Sequence, residues 1–174
     1  GINNSSIPNI FWVDLINPTG DEKQQVEKNF SVELFTKHER EEIESSSKYV
    51  ETAEEIGINL NFLIQEGDNF RNEPVSFIIK NKVLITQRYH EYRSFSETYR
   101  KLRVIKPTDG DDVFLTILET RIDFDADLIE NITARISAIS KEMTADQDTD
   151  RELLLKITAL QESTITIREN IIEK

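Results

Sequence analysis

The chain has 174 residues, of which 33 are acidic and 21 basic, and it contains no cysteine. A chain of this length forms one domain, or one domain with an extension, and can bury about 70% of its unfolded surface. The lack of cysteine excludes zinc-ribbon and thiol-redox chemistry. The net charge of −12, with basic residues scattered along the chain, argues against nucleic acid as a partner, because nucleic-acid affinity depends on clustered Lys and Arg.

No stretch of the sequence is apolar enough to cross a membrane. A spanning helix needs about 20 predominantly apolar residues, and a signal peptide would begin with a basic and then an apolar segment. Neither pattern is present, so we expect these residues to be soluble and cytoplasmic.

Strands and helices alternate in the first half of the chain. Apolar and β-branched runs predict strands at 10–15, 48–52, 58–65, 75–79 and 83–87. The last two strands are separated by residues 80–82, which is short enough for a hairpin. Capping boxes predict helices that begin at Thr19, Thr36 and Ser94, and Pro107 ends the last of them.

Two long helices are predicted in the second half. The first covers 112–143, the second begins at Thr149, and the short connection makes them antiparallel. Apolar residues form one stripe on the first helix, namely Phe114, Leu118, Ile122, Leu128, Ile132, Ile136, Ile139 and Met143. The second helix has an a/d seam of Leu153, Ile157, Leu160, Thr164, Ile167 and Ile171.

The predicted fold class is therefore mixed α/β. Residues 1–107 are expected to form a three-layer α/β/α domain around a mixed sheet. Residues 108–174 are expected to form a long helical hairpin that packs on this domain. The apolar pattern is still present at Lys174, so we expect the natural chain to continue beyond it.

No catalytic motif is recognisable in the sequence. His38 and His90 do not have the spacing of a metal site, and the five glycines form no phosphate-binding loop. An enzyme that uses paired carboxylates as acid and base would need a convergent pocket, for which the sequence gives no signal. We therefore expect a protein that is not an enzyme.

Acidic clusters are the one recurrent chemical feature. They are Glu39, Glu41, Glu42 and Glu44; Asp123, Asp125 and Asp127; and Asp146, Asp148 and Asp150. The last cluster resembles the start of an EF-hand, but Arg151 and Ile157 stand where that loop needs Gly and Glu, which excludes the site. For the other two clusters, a solvated charged face is the simpler interpretation. Carboxylates this close repel one another, and Mg²⁺ or a neighbouring subunit would relieve the repulsion.

Several segments follow one another in a distinctive order. They are FWVDL at 11–15, HEREEI at 38–43, KYVE at 48–51, NLNFLI at 59–64, VLITQ at 83–87, the long helix with Asp123 and Phe124, and the helix that carries Ile167, Arg168 and Glu169. In this order and spacing, they resemble the cytoplasmic N-terminal domain of CorA-type magnesium and cobalt transporters. The resemblance covers almost the whole chain.

This resemblance implies a homopentameric channel that is integral to the membrane, with this domain at the cytoplasmic face of the inner or plasma membrane. A long stalk helix, to which the helical hairpin leads, and then the membrane helices would follow Lys174, so these residues would be a soluble fragment that cannot conduct ions. In the family, Mg²⁺ between neighbouring cytoplasmic domains holds the channel closed, and Co²⁺ is a further possible cation. The positions that match its ligands here are Glu41, Glu42 and Asp123.

Two alternatives remain open from the sequence. A zinc transporter of the ZntB kind belongs to the same superfamily, and nothing in these residues specifies the ion. An autonomous helical adaptor would instead use the helical hairpin to bind a partner. Such an adaptor would end near Lys174, whereas a transporter would continue into apolar segments.

Overall fold

The computed structural model describes residues 10–36, 39, 49–52, 54–66, 69–143 and 150–172. The strands in these ranges are β1 (Trp12–Ile16), β2 (Tyr49–Glu51), β3 (Glu55–Glu66), β4 (Asn69–Lys80) and β5 (Val83–Arg88). The helices are α1 (Gly20–Phe30), α2 (Arg93–Leu102), α3 (Gly110–Met143) and α4 (Asp150–Ile172). Every predicted strand is present, and both long helices begin close to their predicted starts.

The five strands form one mixed sheet in the order β1-β5-β4-β3-β2. β1 runs parallel to β5, whereas β4 is antiparallel to β5 and β2 is antiparallel to β3. A two-residue turn joins β4 to β5, and its residues Asn81 and Lys82 have φ values of 50° and 66°. Such positive φ values suit the right-handed twist of a tight hairpin, which confirms the predicted connection.

Contacts divide the chain into two compact units. The first unit comprises Gly1–Leu60 and Pro74–Ile117, and the second comprises Asn61–Glu73 and Leu118–Lys174. The predicted boundary at 107/108 stays a prediction, and the two units alternate along the sequence. The reason is that β3, β4 and α3 are long elements, each of which contributes residues to both units.

Helices cover both faces of the sheet in the first unit. One face packs against α1 and the segment after it through Leu15, Val32, Leu34, Ile78 and Ile85, surrounded by Val13, Val26, Phe30, Phe35 and Val83. The other face and the helices over it contribute the aromatic residues Trp12, Phe77, Phe95, Tyr99 and Phe114. Successive strand side chains point to opposite faces, so the same strands supply both layers. The predicted α/β/α layering around a mixed sheet is confirmed.

The core of the second unit lies between α3, α4 and the ends of β3 and β4. Its buried residues are Leu63, Ile132, Leu160 and Ile167, with Phe70, Leu128, Ile129, Ile136, Ile139 and Ile171 packed around them. The predicted a/d seam of α4 is therefore its buried side. Asn170 on the same helix is fully buried and donates hydrogen bonds to the Asn61 carbonyl at 2.9 Å and to Asn72 Oδ1 at 2.8 Å.

The start of α3 packs in a different register from the predicted one. Val113 and Ile117 are fully buried, whereas Ile122, which the predicted stripe includes, is 39% exposed. Arg121 is buried next to it and lies 5.0 Å from the centre of the Phe62 ring. The apolar stripe was assigned wrongly here because a buried arginine occupies a core position that an apolar pattern cannot reveal.

Two of the three predicted capping boxes are present. Thr19 is the N-cap of α1, and its side chain and that of Glu22 exchange hydrogen bonds with the backbone of the other residue. The box of Thr36 and Glu39 forms as well. The box predicted at Ser94 is wrong, because the N-cap of α2 is Tyr92, two residues earlier, and Ser94 is buried inside the helix. The N–H groups of Phe95 and Ser96 bond to the Tyr92 carbonyl instead.

Replacing Thr19 with alanine should lower the free energy of unfolding by about 1 kcal/mol, because the first turn of α1 loses its capping hydrogen bonds. Urea unfolding followed by circular dichroism measures the change. Thr158→Ala is the control: its hydroxyl is exposed and bonds only the Leu154 carbonyl one turn earlier, so its effect should stay within about 0.5 kcal/mol. Equal effects of the two substitutions would show that the Thr19 cap does not stabilise the fold.

Candidate functional site

Two of the three predicted metal ligands, Glu41 and Glu42, lie outside the described residues. The capping box that precedes them is described. The Glu39 carboxylate accepts hydrogen bonds from the N–H and the hydroxyl of Thr36, both at 2.7 Å. In return, Thr36 Oγ1 accepts a bond of 3.2 Å from the Glu39 N–H. The predicted capping hydrogen bonds are therefore formed, and the roles of Glu41 and Glu42 stay predictions.

The third predicted ligand, Asp123, is exposed on α3. Glu119 and Asp127, one turn before and one turn after it, are also exposed, so the three carboxylates share one helix face. Asp125 is different: it is only 2% exposed, and its carboxylate lies 3.0 Å from Nε of Arg121. The predicted cluster of three aspartates is thus divided between an exposed acidic face and a buried ion pair.

A small cleft in the first unit also carries carboxylates. Its volume is about 190 Å³, and it is lined by Glu33, Leu34, Phe35, Glu39, Thr52, Glu55 and Gly57. Glu55 is paired with Lys80 at 3.3 Å, and the Glu39 carboxylate accepts a hydrogen bond from the Thr36 hydroxyl. Nowhere in the described part of the chain do three or more His, Cys, Asp or Glu side chains form a group that could hold a metal ion. The cleft therefore has no complete set of cation ligands among these residues.

A buried ion pair lies on the aromatic face of the sheet in the first unit. The side chains of Asp14 and Arg88 are 4% and 3% exposed, and Arg88 Nη2 is 2.7 Å from Asp14 Oδ2. The parallel pairing of β1 with β5 brings these two residues together. Thr86 donates a hydrogen bond of 2.7 Å to Asp14 Oδ1 and accepts one of 3.0 Å from Trp12 Nε1.

The guanidinium of Arg88 has further partners. Its Nη1 donates to the His90 carbonyl at 2.6 Å and to the Glu91 carboxylate at 3.1 Å, and the group lies 4.5 Å from the centre of the Phe95 ring. Burial alone lowers the pKa of Arg88, but the hydrogen bonds and charges of Asp14 and Glu91 outweigh burial and leave this pKa raised. Arg88 is therefore charged at every physiological pH, and the network joins β1, β5 and the start of α2.

The environment of this network also affects Tyr99. Its ring stacks on Trp12 with the ring centres 4.5 Å apart. Partial burial, and secondly the negative charge of Asp14, raise the pKa of the Tyr99 hydroxyl. Tyr99 therefore stays neutral, and the only tryptophan of the chain serves packing and a hydrogen bond.

Sequence reasoning missed the ion pair, although one signal was available. Asp14 is the only charged residue in the apolar run at 10–15, and a charge in a buried strand needs a partner. The sequence does not identify that partner, since Arg88 is 74 positions away. The partner becomes evident only when the neighbour of β1 in the sheet is known.

Comparison with known proteins gives a match to one family model. The model is described as CorA-like Mg²⁺ transporter protein and matches residues 9–174. The magnesium transport protein CorA of Wolinella succinogenes is 33% identical over 176 residues, which cover 97% of this chain and 55% of that protein. The chain therefore spans about half the length of the curated relatives it matches.

Solved structures share the fold. The soluble domain of CorA from Methanocaldococcus jannaschii superposes with a TM-score of 0.71 at 15% identity, covering 93% of this chain and 66% of that one. The ZntB cytoplasmic domain from Vibrio parahaemolyticus gives a TM-score of 0.53 at 16% identity, covering 93% and 82%. Within the described ranges, no helix has both the length and the apolar character needed to cross a membrane.

Proposed function

Because this chain belongs to the family of CorA-like Mg²⁺ transporter proteins, we propose that it forms the cytoplasmic regulatory domain of a divalent-cation transporter. The observation that carries the proposal is the match of the family model to residues 9–174, almost the entire chain. The fold shared with a CorA soluble domain supports it. Transport itself would belong to the whole protein, which we propose to be a pentamer in the inner or plasma membrane.

The regulatory cation in this proposal is Mg²⁺, with Co²⁺ as a second possibility. Its ligands would be Glu41, Glu42 and Asp123, facing carboxylates of a neighbouring copy. Oxygen ligands suit the hard cation Mg²⁺, and the exposed carboxylates Glu119, Asp123 and Asp127 repel one another across single helical turns. A bound dication would neutralise this repulsion, so the assembled domains would favour the Mg²⁺-bound arrangement when the cation is abundant.

A Mg²⁺ titration of these 174 residues tests the proposed ligands. We expect binding only in the millimolar range, because the facing carboxylates would lie on the stalk helix of a neighbouring copy, which these residues do not include. In nuclear magnetic resonance spectra, amide signals around Asp123 should shift with added Mg²⁺, and Asp123→Asn should remove the shift. Asp21→Asn, at an exposed carboxylate on α1, is the control and should leave the shift unchanged. Calorimetry that finds one Mg²⁺ per chain at micromolar affinity, undiminished by Asp123→Asn, would refute the assignment.

A zinc transporter is the second candidate. The observation that favours it is the shared fold with the ZntB cytoplasmic domain. Mg²⁺ is favoured instead by relatives named magnesium transport protein CorA, two of which are 33% and 34% identical to this chain. Cation uptake by the whole protein distinguishes the two candidates, since a zinc transporter would accumulate Zn²⁺ and leave the Mg²⁺ content of the cell unchanged.

A further inference from the structure

A basic surface with an apolar centre lies at the end of α2, in the first unit. We call it the basic-apolar patch; it consists of Tyr99, Arg100, Arg103, Val104, Ile105 and Lys106. Its apolar side chains are exposed to an unusual degree, with Val104 at 85%, Ile105 at 62% and Tyr99 at 50%. The turn that follows α2 is well defined, because the N–H groups of Val104 and Ile105 both donate hydrogen bonds to the Lys101 carbonyl, at 3.0 and 2.8 Å.

The charge of this patch is opposite to that of the chain. Residues 100–106 contain four basic and no acidic side chains, whereas the whole chain has a net charge of −12. A single exposed apolar side chain is ordinary, but two adjacent aliphatic residues surrounded by cations form a surface suited to an acidic, partly apolar partner.

Helix α4 carries a surface of the complementary kind. We call it the acidic-apolar stripe; it consists of Leu154, Leu155, Glu162, Ile165 and Glu169. Leu154, Leu155 and Ile165 are 52%, 64% and 57% exposed, although the opposite side of the helix is buried in the second unit. Leu155, Glu162 and Glu169 are seven residues apart, so they follow one line along the helix, with Leu154 and Ile165 beside it.

We propose that the basic-apolar patch of one copy binds the acidic-apolar stripe of α4 in a second copy. The aliphatic side chains of the two surfaces would pack together, while Arg100 and Arg103 would face Glu162 and Glu169. An anionic lipid surface would cover only the patch and leave the stripe exposed, whereas this one contact covers both. Each copy offers both surfaces, so the contact produces either a reciprocal dimer or a head-to-tail ring or open series of copies.

This contact rests on the assembly of copies proposed above, but it does not require cation sensing. Sedimentation velocity over a range of protein concentrations, in the presence of a chelator, therefore tests the contact alone. We expect weak self-association. Its association constant should fall at least about tenfold between roughly 50 mM and 500 mM NaCl, because salt screens the charges. The double variant Val104→Ser, Ile105→Ser should lower the association constant at least about tenfold as well. Leu115→Ser, at a residue 56% exposed outside both surfaces, should change nothing.

Charge reversal tests which surfaces meet. Arg100→Glu with Arg103→Glu should abolish association, and so should Glu162→Arg with Glu169→Arg. A mixture of these two variants should associate again, because the reversed patch meets the reversed stripe and the unchanged stripe of the first variant meets the unchanged patch of the second. Circular dichroism controls for the fold, which these exposed positions should not affect.

Three results would overturn the proposal. The first is a wild-type chain that stays monomeric at all concentrations. The second is a mixture of the two charge-reversed variants that stays monomeric although each variant is folded. The third is a monomeric wild-type chain that binds vesicles containing phosphatidylglycerol through Val104 and Ile105, which would assign the patch to a lipid surface. None of these results would affect Mg²⁺ binding at Asp123, which the cation titration measures separately.

Discussion

Gly110→Ala should destabilise the protein by about 3 kcal/mol, because a side chain at this position has no space. A Cβ atom on Gly110 would lie 2.4 Å from the Leu84 nitrogen and 2.8 Å from the Val83 carbonyl carbon. Both are backbone atoms of β5, which cannot rotate away as a flexible side chain would. The substitution would also disturb the hydrogen bond of 2.7 Å from the Gly110 N–H to the Lys82 carbonyl.

Gly20→Ala is the matched control for this substitution. Gly20 also begins a helix, but a Cβ atom there would have no neighbour within 4 Å. Since alanine favours a helix over glycine by up to about 1 kcal/mol, Gly20→Ala should leave stability unchanged or increase it. Urea unfolding of the two variants measures the difference. If Gly110→Ala is as stable as Gly20→Ala, α3 does not begin against the backbone of β5 as described.

Loss of Arg88 should have a similarly large effect. Arg88→Met should cost about 3–5 kcal/mol, because the Asp14 carboxylate would remain buried without its cation. Asp14→Leu should cost less, since the buried guanidinium loses its buried partner but keeps the exposed Glu91 carboxylate. In the variant that carries both substitutions, the effects should be far from additive, because the second change removes the charge that the first left unpaired.

The control for the ion pair is an exposed one of similar geometry. Arg100 and Glu97 are 2.9 Å apart, but the Arg100 side chain is 76% exposed. Arg100→Met should therefore change stability by at most about 1 kcal/mol. Denaturant unfolding of the single and double variants provides the comparison. Additive effects of Asp14→Leu and Arg88→Met would show that the two residues do not stabilise the fold as a pair.

Local patterns explain how much of the fold could be predicted. Alternating apolar residues, the Thr19 cap and the a/d seam of α4 each act within a few residues, so the sequence displays them directly. Contacts between distant segments are different. The parallel pairing of β1 with β5 creates the Asp14–Arg88 ion pair, and no local pattern specifies which strands are neighbours.

Buried charged residues account for the main errors within helices. Arg121 occupies a core position beside Phe62, so the apolar stripe predicted through Ile122 is rotated relative to the buried side of α3. Asp125 pairs with that same arginine, which separates it from Asp123 and Asp127. An amphipathic pattern treats every charge as exposed, and such a pattern fails wherever two charges are buried together.

The candidate site, too, is only partly predictable from local patterns. Asp123 is exposed on α3, whereas Glu41 and Glu42 lie outside the described residues, and the role of all three as metal ligands stays a prediction. A site shared between copies cannot be recognised from one chain, because half of its ligands belong to another molecule. Its existence stays a proposal that depends on function as well as geometry.

Mg²⁺ uptake by a chimaeric transporter tests the regulatory role most directly. In the chimaera, residues 9–174 would replace the matching part of the CorA from Wolinella succinogenes, and uptake would be measured in cells with low or high internal Mg²⁺. We predict uptake that falls when internal Mg²⁺ is high, and a weaker fall when Glu41→Gln, Glu42→Gln and Asp123→Asn are combined. A chimaera that transports Mg²⁺ at the same rate under both conditions, with and without these substitutions, would contradict the proposal that this domain senses the cation.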